Sequence, residues 1–220
     1  MNKKNICIVG WNVGDNSFGV TKTYLQYFSK YGNVYLITPS DFDKIYRCDL
    51  LVLPGGKDID PRRYNHKPNF YTLPPDPMLE WFDAKALPKY IEKGIPIFGI
   101  CRGLQTLAVH YNVPLDQHIS TWHDTSVKHR GELVNDLFNP ERYNWETLKF
   151  SGKRDNKGNP EPDLRVNSLH HQAVLYRDLL EHTDELKAIY ISEDEVVEAM
   201  CHVTKPIISV QWHPKFFGAC

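Results

Sequence analysis

The chain has 220 residues, of which 41% are hydrophobic and 24% charged, and its 26 Lys and Arg nearly balance 27 Asp and Glu. That length and balance fit a single α/β core, so one domain over 1–220 is expected, and they exclude a polyanion binder built on a basic stripe. No run approaches the roughly 20 apolar residues of a membrane span.

Short apolar runs alternate with segments of helical period, the pattern of βαβ units with a mostly parallel sheet flanked by helices. Asn5 to Gly10 reads as a strand, Val20 to Tyr31 as a helix ending near Gly32, and Val34 to Thr38 as a second strand closed by Pro39. Leu50 to Leu53 is a third strand, running into Pro54-Gly55-Gly56. Met78 to Lys93 is a helix that Pro88 should kink or divide, with Gly94 as terminator. Ile95 to Ile100 is a buried strand and Arg102 to His110 the helix after it. From Asn112 to Asn159 the chain is polar and weakly periodic, with Lys149 to Pro162 read as an exposed loop. Strands resume at Leu164 to Val166, Leu186 to Ile191, Val196 to Cys201 and Pro206 to Gln211.

Other features bound the partners. Pro61-Arg62-Arg63 and Gly152-Lys153-Arg154 read as solvated loops, so no nucleic acid is expected. The N-terminus Met1-Asn2-Lys3-Lys4 leads into Ile6-Cys7-Ile8-Val9, too short for a signal-peptide core, and a cytoplasmic protein with no membrane partner is expected. Five cysteines, Cys7, Cys48, Cys101, Cys201 and Cys220, are odd in number and free of CxxC pairs, which argues against a disulfide framework or a zinc site.

The sharpest motif is Gly99-Ile100-Cys101-Arg102-Gly103, lying between a predicted strand and a predicted helix. This is the pattern of a nucleophile elbow, in which flanking glycines make room for a strained central residue. The turn would expose Sγ at the sheet's end, beside a helix N-terminus whose N–H groups and dipole favour thiolate. A small buried cysteine between strand and helix is the plain alternative. A thiol nucleophile needs a base, and Val210-Gln211-Trp212-His213-Pro214 puts His213 just past a strand end, where catalytic groups of open α/β sheets gather. Leu53-Pro54-Gly55-Gly56 ends another strand. Its glycines let backbone N–H groups approach a reacting carbonyl, so Gly56 with the amide of Arg102 could hold a tetrahedral oxyanion; a simple Gly-Gly turn is the alternative.

In this order the motifs resemble those of the class I glutamine amidotransferase superfamily, in its γ-glutamyl hydrolase-like (peptidase C26) branch. Leu53 to Pro61 is similar to the oxyanion loop, Gly99 to Gln105 to the elbow, Val166-Asn167-Ser168-Leu169-His170-His171-Gln172 to a substrate-side motif, and Val210 to Pro214 to the histidine motif; Val197-Glu198-Ala199 also fits. The resemblance implies a flavodoxin-like α/β fold and a hydrolase that cleaves a γ-glutamyl amide through a Cys101 thioester, with His213 as base. It implies oxyanion amides from Gly56 and Arg102, and Gly55, Gln105, Ser168, His170, His171 and Gln172 around the glutamyl group. No cofactor is expected. No metal is expected either, because no carboxylate or thiol stands at ligand spacing from His170 and His171.

One position departs from the pattern. The family has a glutamate two residues after the histidine, orienting it and stabilising the imidazolium, where this chain has Lys215. Another acid orients His213, or the enzyme runs as a slower Cys–His dyad, or the site is a lesion that leaves a γ-glutamyl-binding protein. A glutaminase subunit feeding ammonia to a separate synthetase is the remaining alternative. Besides the small γ-glutamyl substrate, the partner classes left open are that synthetase and a second copy of the chain.

Overall fold

The computed structural model describes residues 3–14, 17–41, 47–119, 129, 144–150 and 164–214. Lys215, Cys220 and the basic run at 152–154 lie outside the described residues. The first half runs β1 (Lys4–Val9), β2 (Trp11–Gly14), β3 (Ser17–Gly19), α1 (Lys22–Phe28), β4 (Gly32–Ile37), β5 (Leu50–Leu53), α2 (Pro77–Trp81) and α3 (Leu87–Glu92). It continues with β6 (Ile97–Ile100), α4 (Arg102–His110), β7 (Asn144–Phe150), β8 (Leu164–Ser168), α5 (Tyr176–His182), β9 (Leu186–Ile191), β10 (Val197–His202) and β11 (Ile207–Val210).

Nine strands form one sheet in the order β4-β1-β5-β6-β11-β10-β9-β7-β8. From β4 to β11 the pairing is parallel, in the flavodoxin-like order with the first strand second from the edge. From β11 through β8 it is antiparallel. No helix among the described residues is long and apolar enough to cross a membrane.

The parallel strands are apolar on both faces because both are covered. On one face Ile6, Ile8, Val52 and Ile100 pack with Tyr24 and Phe28 of α1. On the other, Cys7, Val9, Leu51, Leu53 and Ile97 pack with Leu79, Leu87, Leu104 and Leu107 of α2, α3 and α4. Alternation within β1 and β5 thus assigns each side chain to a layer, and each fully buried Leu or Ile contributes on the order of 1.5–3 kcal/mol.

Register fixes where the chain leaves the sheet. Leu53 pairs with Gly99, and Ile100 with Val210, so β5, β6 and β11 end side by side. The three motifs that follow them emerge at one edge.

The predicted strands are present, their ends within two residues of the expected ones. The sheet starts at Ile97 rather than Ile95 because Pro96 has no N–H; its carbonyl accepts from Leu51 at 2.8 Å instead. The helix expected over Met78 to Lys93 is divided as Pro88 requires, but by a π-helical turn at Phe82–Ala86, where Leu87 N–H reaches back to Phe82 O. One expectation is corrected, and two further elements were not predicted. Trp11–Gly14 and Ser17–Gly19, where no strand was predicted, pair as the antiparallel strands β2 and β3. The strand β7 falls within the stretch read as weakly periodic and overlaps the expected loop at Lys149 and Phe150. The helix α5 is seven residues long, buries Leu179 and packs Tyr176 on the core, a stripe too short for the periodicity to reveal.

Candidate active site

Cys101 heads α4 with φ 53° and ψ −108°, a conformation an L-residue adopts only under constraint. Packing supplies that constraint. Cys101 N–H donates to Val210 O at 2.8 Å, and the turn presses onto β5 so closely that a Cβ on Gly103 would lie 2.3 Å from Leu53 O. Only glycine fits there.

His213 meets Cys101 over Gly55. A Cβ added to Gly55 would stand 2.9 Å from His213 Cε1, 3.4 Å from Cys101 Cβ and 3.4 Å from Tyr24 Oη. The histidine's main chain is clamped by Asn167 of β8: His213 N–H donates to Asn167 Oδ1 at 2.9 Å and Asn167 Nδ2 donates to His213 O at 3.0 Å. Both residues are buried.

Tyr24 fixes the glycine loop. Gly55 N–H donates to its hydroxyl at 2.7 Å. Burial pushes the phenol well above its ordinary range, so it stays neutral beside Cys101. Gly55's amide is therefore engaged, and Gly56 lines the cavity. The amide of Arg102 occupies the first helical position, where the helix itself offers no acceptor. Its guanidinium turns away, to Glu80 at 2.7 Å, Asp83 at 2.8 Å and Thr106 Oγ1 at 3.1 Å. The Arg102 side chain thus anchors α4 to the α2–α3 segment.

Cys101 opens into a cavity of about 680 Å³. Gln105, His170, His171 and Gln172 form one wall; Trp11, Val13 and Leu73 give it apolar surface. Gln105 Nε2 donates to Gln172 O at 2.9 Å and to Gln211 Oε1 at 3.2 Å, joining the elbow helix to the wall and to the strand end before His213. His171 pairs through Nε2 with Asp58 Oδ1 at 3.0 Å and through Nδ1 with His118 Nδ1 at 3.2 Å. Of the residues predicted around the glutamyl group, Ser168 stands behind the wall, donating to His129 O at 2.9 Å. Lys215 lies outside the described residues.

Behind His170 is a buried polar cluster that spacing along the chain did not show. His170 Nε2 lies 3.2 Å and His129 Nδ1 3.7 Å from Glu198 Oε1. His129 Nε2 faces Asp194 Oδ2 at 2.9 Å, and Ser192 Oγ donates to Asp194 Oδ1 at 2.5 Å. Burial pushes the Glu198 carboxyl up to about 8, against the pull of His129. Burial also opposes ionisation of Asp194, but hydrogen bonds from His129 and Ser192 outweigh it and bring that group to about 2. A sequence signal for Glu198 was present, a carboxylate inside the apolar run Val197–Cys201; Asn167 stands in the mixed strand Leu164–Ser168, which gave none.

Residues 11–215 match the family model described as Peptidase C26. The chain belongs to the Peptidase C26 family. It is 30% identical over 200 residues to the glutamine amidotransferase-like protein YvdE of Lactococcus lactis subsp. lactis (strain IL1403), covering 88% of this chain and 79% of that protein. It is 27% identical over 185 residues to the gamma-glutamyl-gamma-aminobutyrate hydrolase PuuD of Escherichia coli (strain K12), covering 82% and 70%. A glutamine amidotransferase from Thermotoga maritima shares the fold at TM-score 0.58 and 16% identity, over 98% of this chain and 77% of that one. Membership in Peptidase C26 supports amidase or hydrolase chemistry for this chain, of the glutamine amidotransferase type.

Proposed function

We propose that this C26 chain acts as one domain over 1–220 and hydrolyses the γ-glutamyl amide of a small conjugate, releasing glutamate and an amine. The observation that carries this reading is the convergence of Cys101 and His213 over Gly55, beside a cavity lined by Cys101 and Gly56. In the proposed reaction Cys101 Sγ adds to the γ-carbonyl as His213 takes the thiol proton. The amides of Gly56 and Arg102 hold the resulting oxyanion. Collapse breaks the C–N bond, and the amine leaves with the proton His213 returns to it. Water, deprotonated by the same imidazole, then hydrolyses the thioester.

Gln105, His170, His171 and Gln172 are assigned to the glutamyl side because they share the cavity wall with Cys101. Trp11, Val13 and Leu73 are assigned to the leaving group, which makes an amine with an apolar portion the preferred class. With Lys215 in the sequence where the family has glutamate, the Asn167 clamp is the proposed means of holding His213 in register.

The test is glutamate release from glutamine, γ-glutamyl-butylamine and γ-glutamyl-aminobutyrate by the full chain, with Cys101→Ala as blank. Turnover of a substituted amide at least tenfold above glutamine supports the reading. Preference for glutamine, raised by a copurifying synthetase, would replace it with a glutaminase subunit. Binding of all three amides without turnover would replace it with a binding protein.

A further inference from the structure

We propose that His129, His170 and Glu198 form a binding site for one divalent transition-metal ion of the zinc class, behind the wall of the cavity. Their three donor atoms lie within 4.8 Å of one another, and all three residues are buried. Two donors each about 2.1 Å from one ion at a tetrahedral angle stand roughly 3.4 Å apart. The separations from Glu198 Oε1, 3.2 Å to His170 Nε2 and 3.7 Å to His129 Nδ1, fit that spacing.

Hydrogen bonding on the far side of each ring sets the chemistry. His170 Nδ1 lies 3.1 Å from Gln172 O, which can only accept, so Nδ1 carries the proton and Nε2 presents a lone pair toward Glu198. His129 Nε2 is held by the Asp194 carboxylate, so in the neutral ring Nδ1 presents the other lone pair. Each imidazole therefore has the outer acceptor, backbone carbonyl in one case and carboxylate in the other, that metal-bound histidines characteristically have. Glu198 is fully buried, and neither of its carboxylate oxygens receives a hydrogen bond among the described residues. With both rings neutral, a buried carboxylate facing two lone pairs is a repulsive arrangement, which a proton on Glu198 or a cation standing between the three groups relieves.

Two imidazole nitrogens and one carboxylate oxygen suit zinc and its neighbours rather than calcium or magnesium. An ion here would join β10 to the two histidine segments and fix His170 at the cavity wall. Through Gln211 N–H, which donates to Glu198 O at 2.7 Å, it would also brace the strand end before His213. The site shares His170 with the cavity wall, but its ion binding does not depend on the proposed hydrolysis.

The test is uptake of Zn²⁺ by the purified, chelator-stripped full chain, followed by calorimetry and elemental analysis, and of Co²⁺, followed by its visible spectrum. One tightly held equivalent, with ligand-field bands for Co²⁺, is expected. Glu198→Gln and His129→Ala should hold none, while His66→Gln, a histidine outside the cluster, should bind as the wild type does. Asp194→Asn keeps all three ligands and should bind about 10–100-fold more weakly. Absence of uptake by the wild type, or unchanged uptake by Glu198→Gln, would overturn the proposal. If Glu198→Gln does not fold, the wild-type Co²⁺ spectrum decides, and its lack of ligand-field bands would overturn it equally.

Discussion

Replacing Asn167 with alanine should damage the site more than it damages the substrate pocket. The side chain makes two hydrogen bonds to the main chain of His213, at 2.9 and 3.0 Å, and both residues are buried. Losing them leaves an N–H and a C=O unsatisfied, at about 1–3 kcal/mol each. With partial compensation by water, a loss of about 3 kcal/mol is expected, which in a domain of this size lowers Tm by about 6–12 °C. The larger effect is on rate. An imidazole displaced by about 1 Å lowers kcat about 100-fold, while KM, set by the wall residues, stays within about threefold. Thermal melts and steady-state kinetics on the preferred γ-glutamyl amide measure both. A variant that melts lower yet keeps kcat within threefold of wild type would refute the assignment of Asn167 as the residue that positions His213.

Gly55→Ala places a methyl group 2.9 Å from His213 Cε1 and should reduce kcat at least 100-fold; unchanged turnover would contradict the proposed meeting of Cys101 and His213. Arg102→Met removes one of the two guanidinium groups paired with buried Asp83 and half-buried Glu80, leaving Arg63, and should cost about 1.5–3 kcal/mol in denaturant unfolding. The folded fraction should keep kcat within about tenfold, because the proposed oxyanion donor is the main-chain amide. His110 is held below the ordinary histidine range by burial, reinforced by Arg63. Unfolding lets it take up a proton, so its contribution is intact above pH ~6.5 and stability falls as pH drops below that. His110→Gln should flatten this slope in denaturant midpoints between pH 7.5 and 5.5, and an unchanged slope would contradict it.

The parallel half of the sheet was legible because its strands are buried on both faces, so Ile6-Cys7-Ile8-Val9 and Leu50-Leu51-Val52-Leu53 read as unbroken apolar runs. The elbow was legible because its steric demands fall on neighbours in the chain, Gly99 and Gly103. What spacing could not show are contacts that only the completed fold makes. Tyr24 reaches Gly55 across 31 positions, and Asn167 reaches His213 across 46. Glu198 faces His170 because β10 carries it under the cavity wall, whereas the absence of a carboxylate near His170 in sequence had argued against any ligand set. In α5 the stripe is too short to give a period to detect.

The central claim is that Cys101 is an activated nucleophile in a glutamyl-shaped pocket. The most direct measurement is intact-mass spectrometry after incubation with 6-diazo-5-oxo-norleucine, comparing the wild-type chain with Cys101→Ala. A single adduct on the wild type and none on the variant is the predicted result. No adduct on the folded wild-type chain, or one that persists in Cys101→Ala, would contradict it.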